Sequence, residues 1–235
     1  MLEEERLNHI LEYLRQNQTA TVHGLSKRLY ASEATVRRDL NELAQRGMVK
    51  RLHGGAVLLD TATRELPLYV RRQQNAAAKQ EIAAQAAKHL KDGQVIFLDA
   101  SSTVMYLIKY LENFENLTVI TNGIQTAQEL QSLSHRIYCT GGMMLHQSSA
   151  YVGQHAENFI RQFNADLFFF SSQGLSEDGR ITDDSEEETH VRKVMLEQSR
   201  KKIFLCDHSK VGPVYCHNLC RLEQVDDYIT DATRE

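Results

Sequence analysis

The sequence predicts an α/β protein in two parts: a small helical N-terminal domain closed by a β-hairpin, and a larger domain on a mostly parallel sheet. Three observations predict it. Residues 1–58 carry three apolar stripes of helical period, then two short β-prone runs around His53-Gly54-Gly55. Beyond residue 75, short continuous apolar runs alternate with helical stretches, the pattern of strands covered on both faces. Charge is also unevenly placed: the net is −4, yet residues 1–58 hold nine Lys and Arg against seven Asp and Glu, and 59–235 hold 18 against 24.

The elements follow in order. Leu7, Ile10, Leu11 and Leu14 recur at helical spacing over 3–16. Thr19-Ala-Thr-Val22 is a brief β-prone connector, and a second helix at 23–30 turns Leu25 and Leu29 inward. Ala31-Ser32 interrupts it, and Ser32 is a good N-cap for a third helix reaching Gln45, with Val36, Leu40 and Leu43 on one face. Gly47 stops that helix, and Met48–Leu52 and Ala56–Leu59 flank the glycine turn. Helix, helix, turn, helix, hairpin is the order of a winged helix-turn-helix, assigned to residues 1–58.

Residues 59–75, with Pro67 and little periodicity, are expected to be a linker, and 76–235 the second domain. There, helices are expected at 76–90, 102–112, 124–132, 153–162 and 185–200. Strands are expected at 95–98, 117–121, 136–140, 167–171, 202–206 and 228–230.

Several classes are excluded at this level. Hydrophobic residues are 42% and charged residues 25%, the balance of a folded soluble chain. No run approaches the ~20 apolar residues of a membrane span, and MLEEERLNHI is acidic where a secretory signal is basic. The expectation is a cytoplasmic protein that touches no membrane. Cys139, Cys206, Cys216 and Cys220 are too few and dispersed for a disulfide framework. Cys206, His208, Cys216, His217 and Cys220 do not follow the paired spacing of a zinc site, so neither metal nor cofactor is expected.

The sharpest functional signal is the third helix. With Val36, Leu40 and Leu43 inward, Arg37, Arg38 and Asn41 point outward, with Ser32 and Thr35 at its start. Arginine grips guanine or clamps phosphate, and asparagine reads adenine. Arg51 and His53 sit in the wing, placed for the backbone or minor groove. The plain alternative is a solvated charged face, with His53 merely shaping the turn. Seven basic against three acidic residues over 26–58 favour DNA.

Thr35-Val-Arg-Arg-Asp-Leu40 followed by Arg51-Leu-His-Gly-Gly-Ala56 resembles the N-terminal signature of the DeoR family of bacterial transcription regulators. The likeness continues through Leu98-Asp-Ala-Ser-Ser-Thr103, Thr121-Asn122, Thr140-Gly-Gly142, Gly174-Leu175, Asp178-Gly179 and Asp207-His-Ser-Lys210. Each motif is weak alone; their joint order over residues 3–231 is specific. Two departures stand out: Ser101 occupies a glycine position of the family pattern, and family members usually continue with another helix and strand.

The resemblance implies a sensor domain like the fold of ribose-phosphate isomerases and CoA transferases, and a repressor of sugar-metabolism genes controlled by a phosphorylated sugar. The residues agree with such a ligand. Asp99-Ala-Ser-Ser-Thr103 lies where a strand gives way to a helix, and Ser101, Ser102 and Thr103 are able to donate to phosphate oxygens. Asp99 is expected to accept from a sugar hydroxyl. Asn122, Gly141 and Gly142 are expected to line the same crevice at the carboxyl ends of the strands, and Lys210 to supply positive charge. The acidic run 183–188 is expected chiefly to complement a helix dipole, with Glu187 or Glu188 as crevice candidates. An isomerase-like enzyme using Asp99, Glu188 and Lys210 is the competing reading, and an N-terminal winged helix, useless to an isomerase, decides against it. The expected partners are a double-stranded DNA operator, the phosphorylated effector and further copies of the chain, in a homodimer or higher even oligomer, because symmetric operators need paired heads.

Overall fold

The structure, a computed structural model, describes residues 2–17, 19–58 and 68–231. Residues 59–67 of the expected linker, Pro67 among them, lie outside these. The chain divides into two compact units, Met1–Glu65 and Leu66–Glu235.

In the first unit, α1 (Glu3–Asn17), α2 (Val22–Leu29) and α3 (Glu33–Gln45) surround a core of Leu7, Ile10, Leu11, Leu14, Leu25, Val36, Leu40 and Leu43. Ser32 caps α3 by accepting from the Thr35 amide at 3.1 Å, and Gly47 follows its C-terminus at φ +72°. Asp39, on the inner side of α3, takes a paired hydrogen bond from Arg6 of α1, one arm at 2.8 Å. The stretch expected as a connector is a strand, β1 (Thr19–Thr21). It pairs antiparallel with β3 (Gly55–Leu58), which pairs with β2 (Val49–Leu52), so the wing is three-stranded rather than a two-stranded ribbon. Gly55 makes that possible: a Cβ there would stand 2.2 Å from the Ala20 carbonyl oxygen. Any side chain would push β1 off the sheet.

The second unit begins with α4 (Leu68–Gln73), in a span expected as linker. Leu68 is buried in this unit's core and its amide donates to the Gln147 carbonyl at 2.9 Å, so these residues belong to the body. After α5 (Ala76–Ala86) the chain alternates through β4 (Val95–Leu98), α6 (Ile108–Leu111), β5 (Thr118–Thr121), α7 (Ile124–Leu130) and β6 (Arg136–Cys139). A hairpin of β7 (Met143–Leu145) and β8 (Ala150–Val152) precedes α8 (Gln154–Ile160) and β9 (Ala165–Phe170). Then come β10 (Gly174–Leu175), β11 (Arg180–Asp183), α9 (Glu186–Glu197), β12 (Ser199–Leu205), β13 (His217–Arg221) and β14 (Asp227–Ile229).

The main sheet is parallel throughout, in the order β14-β12-β9-β4-β5-β6. Its residues alternate between two cores: Ile96, Leu98, Leu167, Phe169, Ile203 and Leu205 on one side, Phe97, Phe168, Phe170 and Phe204 on the other. The small sheet β10-β11-β13 and the β7–β8 hairpin are antiparallel additions absent from the sequence expectation. The helix expected at 102–112 is a 3-10 turn (Val104–Leu107) running into the four residues of α6. Here Ser101 tightens the exit from β4, its hydroxyl accepting from the Val104 amide and its carbonyl from the Met105 amide, both at 3.3 Å.

Candidate functional site

The exposed face of α3 follows directly from its buried stripe. Val36, Leu40 and Leu43 point inward, so Arg37, Arg38 and Asn41 stand exposed on the opposite side. At the start of the helix the Ser32 and Thr35 hydroxyls lie 2.9 Å apart. Arg37 is held by Glu33 one turn earlier at 2.9 Å, and Glu33 also meets His23 at 3.2 Å. In the wing, Arg51 donates to the Gly55 carbonyl at 2.7 Å, which aims its side chain across the hairpin, while His53 is exposed at the turn. A further exposed residue of the first unit escaped the sequence reading. Tyr30, in the turn between α2 and α3, holds φ 50° with its ring 98% exposed. A bulky residue in the left-handed region is costly.

The second site lies along the carboxyl edge of the main sheet. Register sets neighbouring strand ends side by side: Leu98 pairs with Thr121, and Thr121 with Cys139. Asn122 is therefore about one strand spacing, ~5 Å, from the end of β4, and Thr140 about two. On the other side, Leu98 pairs with Phe169 and Phe170 with Phe204, which brings Ser171 and the 206–210 loop to the same edge.

Two lysines converge on the Ser-Ser-Thr loop. The Lys210 ammonium lies 2.8 Å from the Ser171 hydroxyl, 3.4 Å from that of Thr103 and 3.9 Å from the Asp207 carboxylate. Lys79 of α5 donates to the Ser102 hydroxyl at 3.1 Å and to the Arg71 carbonyl. Burial pushes the Lys79 ammonium down to about 7, Lys210 and Arg71 adding repulsion that Asp207 only partly offsets. Burial raises the Asp207 carboxyl, but Lys210, Ser209, Lys79 and Asn75 outweigh it and hold it below its usual range. At the neighbouring strand ends, Asn122 Oδ1 and Thr140 Oγ1 are buried without a hydrogen-bond partner. Polar atoms in that state cost free energy unless something binds them.

The Asp99 carboxylate, expected to accept from a sugar hydroxyl, is turned inward. The residue is 0% exposed, and its oxygens take hydrogen bonds from the Ser101 amide (2.9 Å), the Ser171 amide (3.2 Å) and Arg192 Nε (2.9 Å). Arg192 also meets Asp183 at 2.9 Å and Glu188 at 3.4 Å. Burial works against its charge, and the three carboxylates overcome it, raising its pKa. Asp99 thus ties the Ser101 and Ser171 loops to α9. Glu188 lies in the same buried cluster rather than in the crevice. Ser101, standing in the family's glycine position, adopts no positive φ and spends its hydroxyl on the Val104 amide. Gly141 and Gly142 turn the chain from β6 into β7 at φ +64° and +117°, and a Cβ on Gly142 would meet the Val152 carbonyl at 2.7 Å.

Lys79 and Arg192 were missed, yet both left a signal. Lys79 falls on the stripe of Ile82, Ala83 and Ala86, and Arg192 on that of Val191 and Met195. A charge placed on an apolar face has a buried partner to meet.

Comparisons with known proteins cover both units. The DeoR-like helix-turn-helix domain model matches residues 6–62, and the DeoR C terminal sensor domain model matches 74–232. The chain is 38% identical to the HTH-type transcriptional regulator GolR of Listeria innocua, over 97% of this chain and 90% of that one. It is 34% identical to the regulator GlpR of Haloferax volcanii (99% and 91%) and 30% to the glycerol-3-phosphate regulon repressor of Escherichia coli (99% and 92%). Among solved structures, eIF2B delta from Chaetomium thermophilum aligns over 70% of this chain and 59% of its own, at TM-score 0.50 and 16% identity, a likeness of fold alone. Ribose 5-phosphate isomerase a from Methanocaldococcus jannaschii aligns over 59% and 55%, at TM-score 0.44 and 18% identity.

Proposed function

The chain belongs to the DeoR family of transcriptional regulators, and from that premise we propose that it represses carbohydrate genes from an operator it releases or grips according to a phosphorylated sugar. It is a regulator and not an enzyme. The side chains that an isomerase-like reaction would need, Asp99 and Glu188, are both committed to Arg192. The observation that carries the ligand class is Lys210 at the sheet edge, its ammonium shared between the Thr103 and Ser171 hydroxyls. A cation among hydroxyls suits a phosphate group, and the buried unpaired Asn122 Oδ1, which only accepts, and Thr140 hydroxyl suit the hydroxyls of a sugar.

In this reading Arg37, Arg38 and Asn41 face the bases or phosphates of the operator, with Ser32, Thr35, Arg51 and His53 beside them. The working form is a homodimer or higher even oligomer in the cytoplasm, since one head covers about half a symmetric operator. No helix among the described residues is long and apolar enough to cross a membrane. Names of relatives support the ligand class: the repressor from Escherichia coli is named for a glycerol-3-phosphate regulon, and a Staphylococcus aureus relative for a lactose phosphotransferase system. The test is a thermal-shift screen of sugar phosphates beside their unphosphorylated parents, then operator titration by fluorescence anisotropy with the best compound. Stabilisation by phosphorylated members alone, with a changed operator affinity, is the expected result. Equal stabilisation by the parent sugars, or none by either, refutes the ligand class.

A further inference from the structure

Lys79 sits where a ligand site and the start of the second unit meet. The residue is 3% exposed, and its ammonium donates to two acceptors of different kinds. One is the Ser102 hydroxyl, in the loop that faces Lys210. The other is the carbonyl of Arg71, in the last turn of α4, where carbonyls lack partners within their own helix. In chain order α4 is the first described element after the residues that join the two units. Other contacts also clasp it, among them Leu68 in the core, the Tyr106 hydroxyl on the Arg72 carbonyl at 2.7 Å, and the ion pair of Arg72 with Glu129. Lys79 joins α4 to the Ser-Ser-Thr loop.

We propose that Lys79 is the second cation of the anion site, and that a bound phosphate group acts on α4 by drawing this ammonium away from the Arg71 carbonyl. The inference rests on the ligand site described above and adds to it a residue and a route. A doubly charged oxygen acceptor at Ser102 and Thr103 outcompetes a neutral carbonyl for an ammonium group, because charge-assisted hydrogen bonds are about twice as strong. The arrangement without ligand favours the exchange. Lys79 faces Lys210 and Arg71 as like charges and Asp207 as the one opposing charge, so burial and repulsion keep the ammonium poorly compensated. An anion between the two lysines relieves both. Loss of the Arg71 contact then loosens the end of α4, the part of the body nearest in sequence to the DNA-binding unit.

The test uses the full chain with sulfate as the probe, because sulfate keeps one charge state across neutral pH. Hydrogen exchange is followed by mass spectrometry at constant ionic strength, against chloride. In wild type, sulfate is expected to slow exchange in peptides covering 99–105 and 207–211 and to speed it severalfold across 68–75. Lys79→Met is expected to exchange fast across 68–75 without sulfate, to show no further change with it, and to need at least tenfold more sulfate for protection of 99–105. Lys79→Met with wild-type sulfate affinity overturns the second-cation role. Protection of 99–105 in wild type with exchange in 68–75 unmoved overturns the route, and needs no variant. Should Lys210→Ala lose sulfate protection while Lys79→Met keeps it, this inference fails and the ligand site stands. If wild type shows no sulfate protection, both fall.

Discussion

The outward face of α3 and the carboxyl edge of the main sheet, the two anion sites proposed above, are built in opposite ways. On α3 the functional side chains lie off the packed stripe: Arg37, Arg38 and Asn41 are exposed, and the helix would keep its core without them. At the sheet edge the charged groups are packed into the protein. Lys79, Asp99, Arg192 and Asp207 are all nearly or wholly buried, and each holds a second structural group in place. A DNA phosphate meets charges already in water. A small ligand must enter a network whose members are satisfying one another, and it rearranges that network as it binds. That difference suits the one region to the proposed role of reader and the other to that of sensor.

The sharpest break of this contrast is at Arg192. Its removal leaves Asp99, Asp183 and Glu188 buried without their cation, a loss of ~3–5 kcal/mol when a buried pair is broken. Arg192→Met should therefore lower the melting temperature of the second unit sharply in calorimetry. A near-normal melting temperature would show that the three carboxylates find protons or water at little cost.

The matching change on the DNA side is expected to leave stability alone. Arg37→Ala with Arg38→Ala should weaken operator binding at least tenfold in fluorescence anisotropy, each lost bidentate contact costing ~1–3 kcal/mol. The melting temperature should stay within a degree or two. Of the two, Arg38 is expected to matter more in low salt, because Arg37 must first leave Glu33. Unchanged operator affinity would remove α3 as the reading helix.

The same contrast explains how much was legible in the residues. The helix stripe of Val36, Leu40 and Leu43 gave the DNA face by subtraction, since anything off the stripe is in water. The strands were equally open, because Val95–Leu98 and Leu167–Phe170 are apolar throughout, as a doubly covered parallel sheet requires. The sensor site was half visible. Ser101–Thr103 and Lys210 belong to short motifs at strand ends, but Asp99 carries the same chemistry whether it faces a sugar or an arginine. Its partner Arg192 is 93 residues away, a distance no local pattern spans. The third strand of the wing was hidden for a similar reason: Thr19–Thr21 becomes a strand only because Gly55 lets it approach.

Between these extremes lies Lys210, its side chain 19% exposed and bonded to two loops. Lys210→Ala is expected to bind operator and to have lost at least tenfold in affinity for whichever sugar phosphate stabilises the wild type. The readout is the ligand concentration at half-response in operator titrations. A wild-type response would move the phosphate contact elsewhere on the sheet edge.

The smallest expected effect is a pH dependence carried by Lys79, and its sign is opposite to that of a lysine in a salt bridge. In the folded chain its ammonium is pushed down to about 7, against 10.5 for a free lysine. Between those values the unfolded chain holds a proton that the folded chain has released, so stability rises with pH. Below about 7 both states are protonated, and the folded state carries the full cost of an ammonium buried near Lys210. Replacing Lys79 with methionine removes this proton. The stability advantage of Lys79→Met over wild type should therefore shrink as pH rises from 7 to 9, by at most ~1.4 kcal/mol per unit, the limit for one proton. Cys206 and Cys220, which burial pushes up to about 12, ionise toward pH 9 in the unfolded chain alone, but both proteins carry them, so they cancel in the difference. Urea titrations of both proteins at pH 6, 7, 8 and 9 give the difference directly. Parallel curves would mean that Lys79 keeps its proton throughout, held by the Arg71 carbonyl and Ser102 more firmly than burial and Lys210 oppose it. Saturating sulfate sharpens the test: an anion beside Lys79 restores the charge, so the wild-type slope above pH 7 should flatten toward that of Lys79→Met.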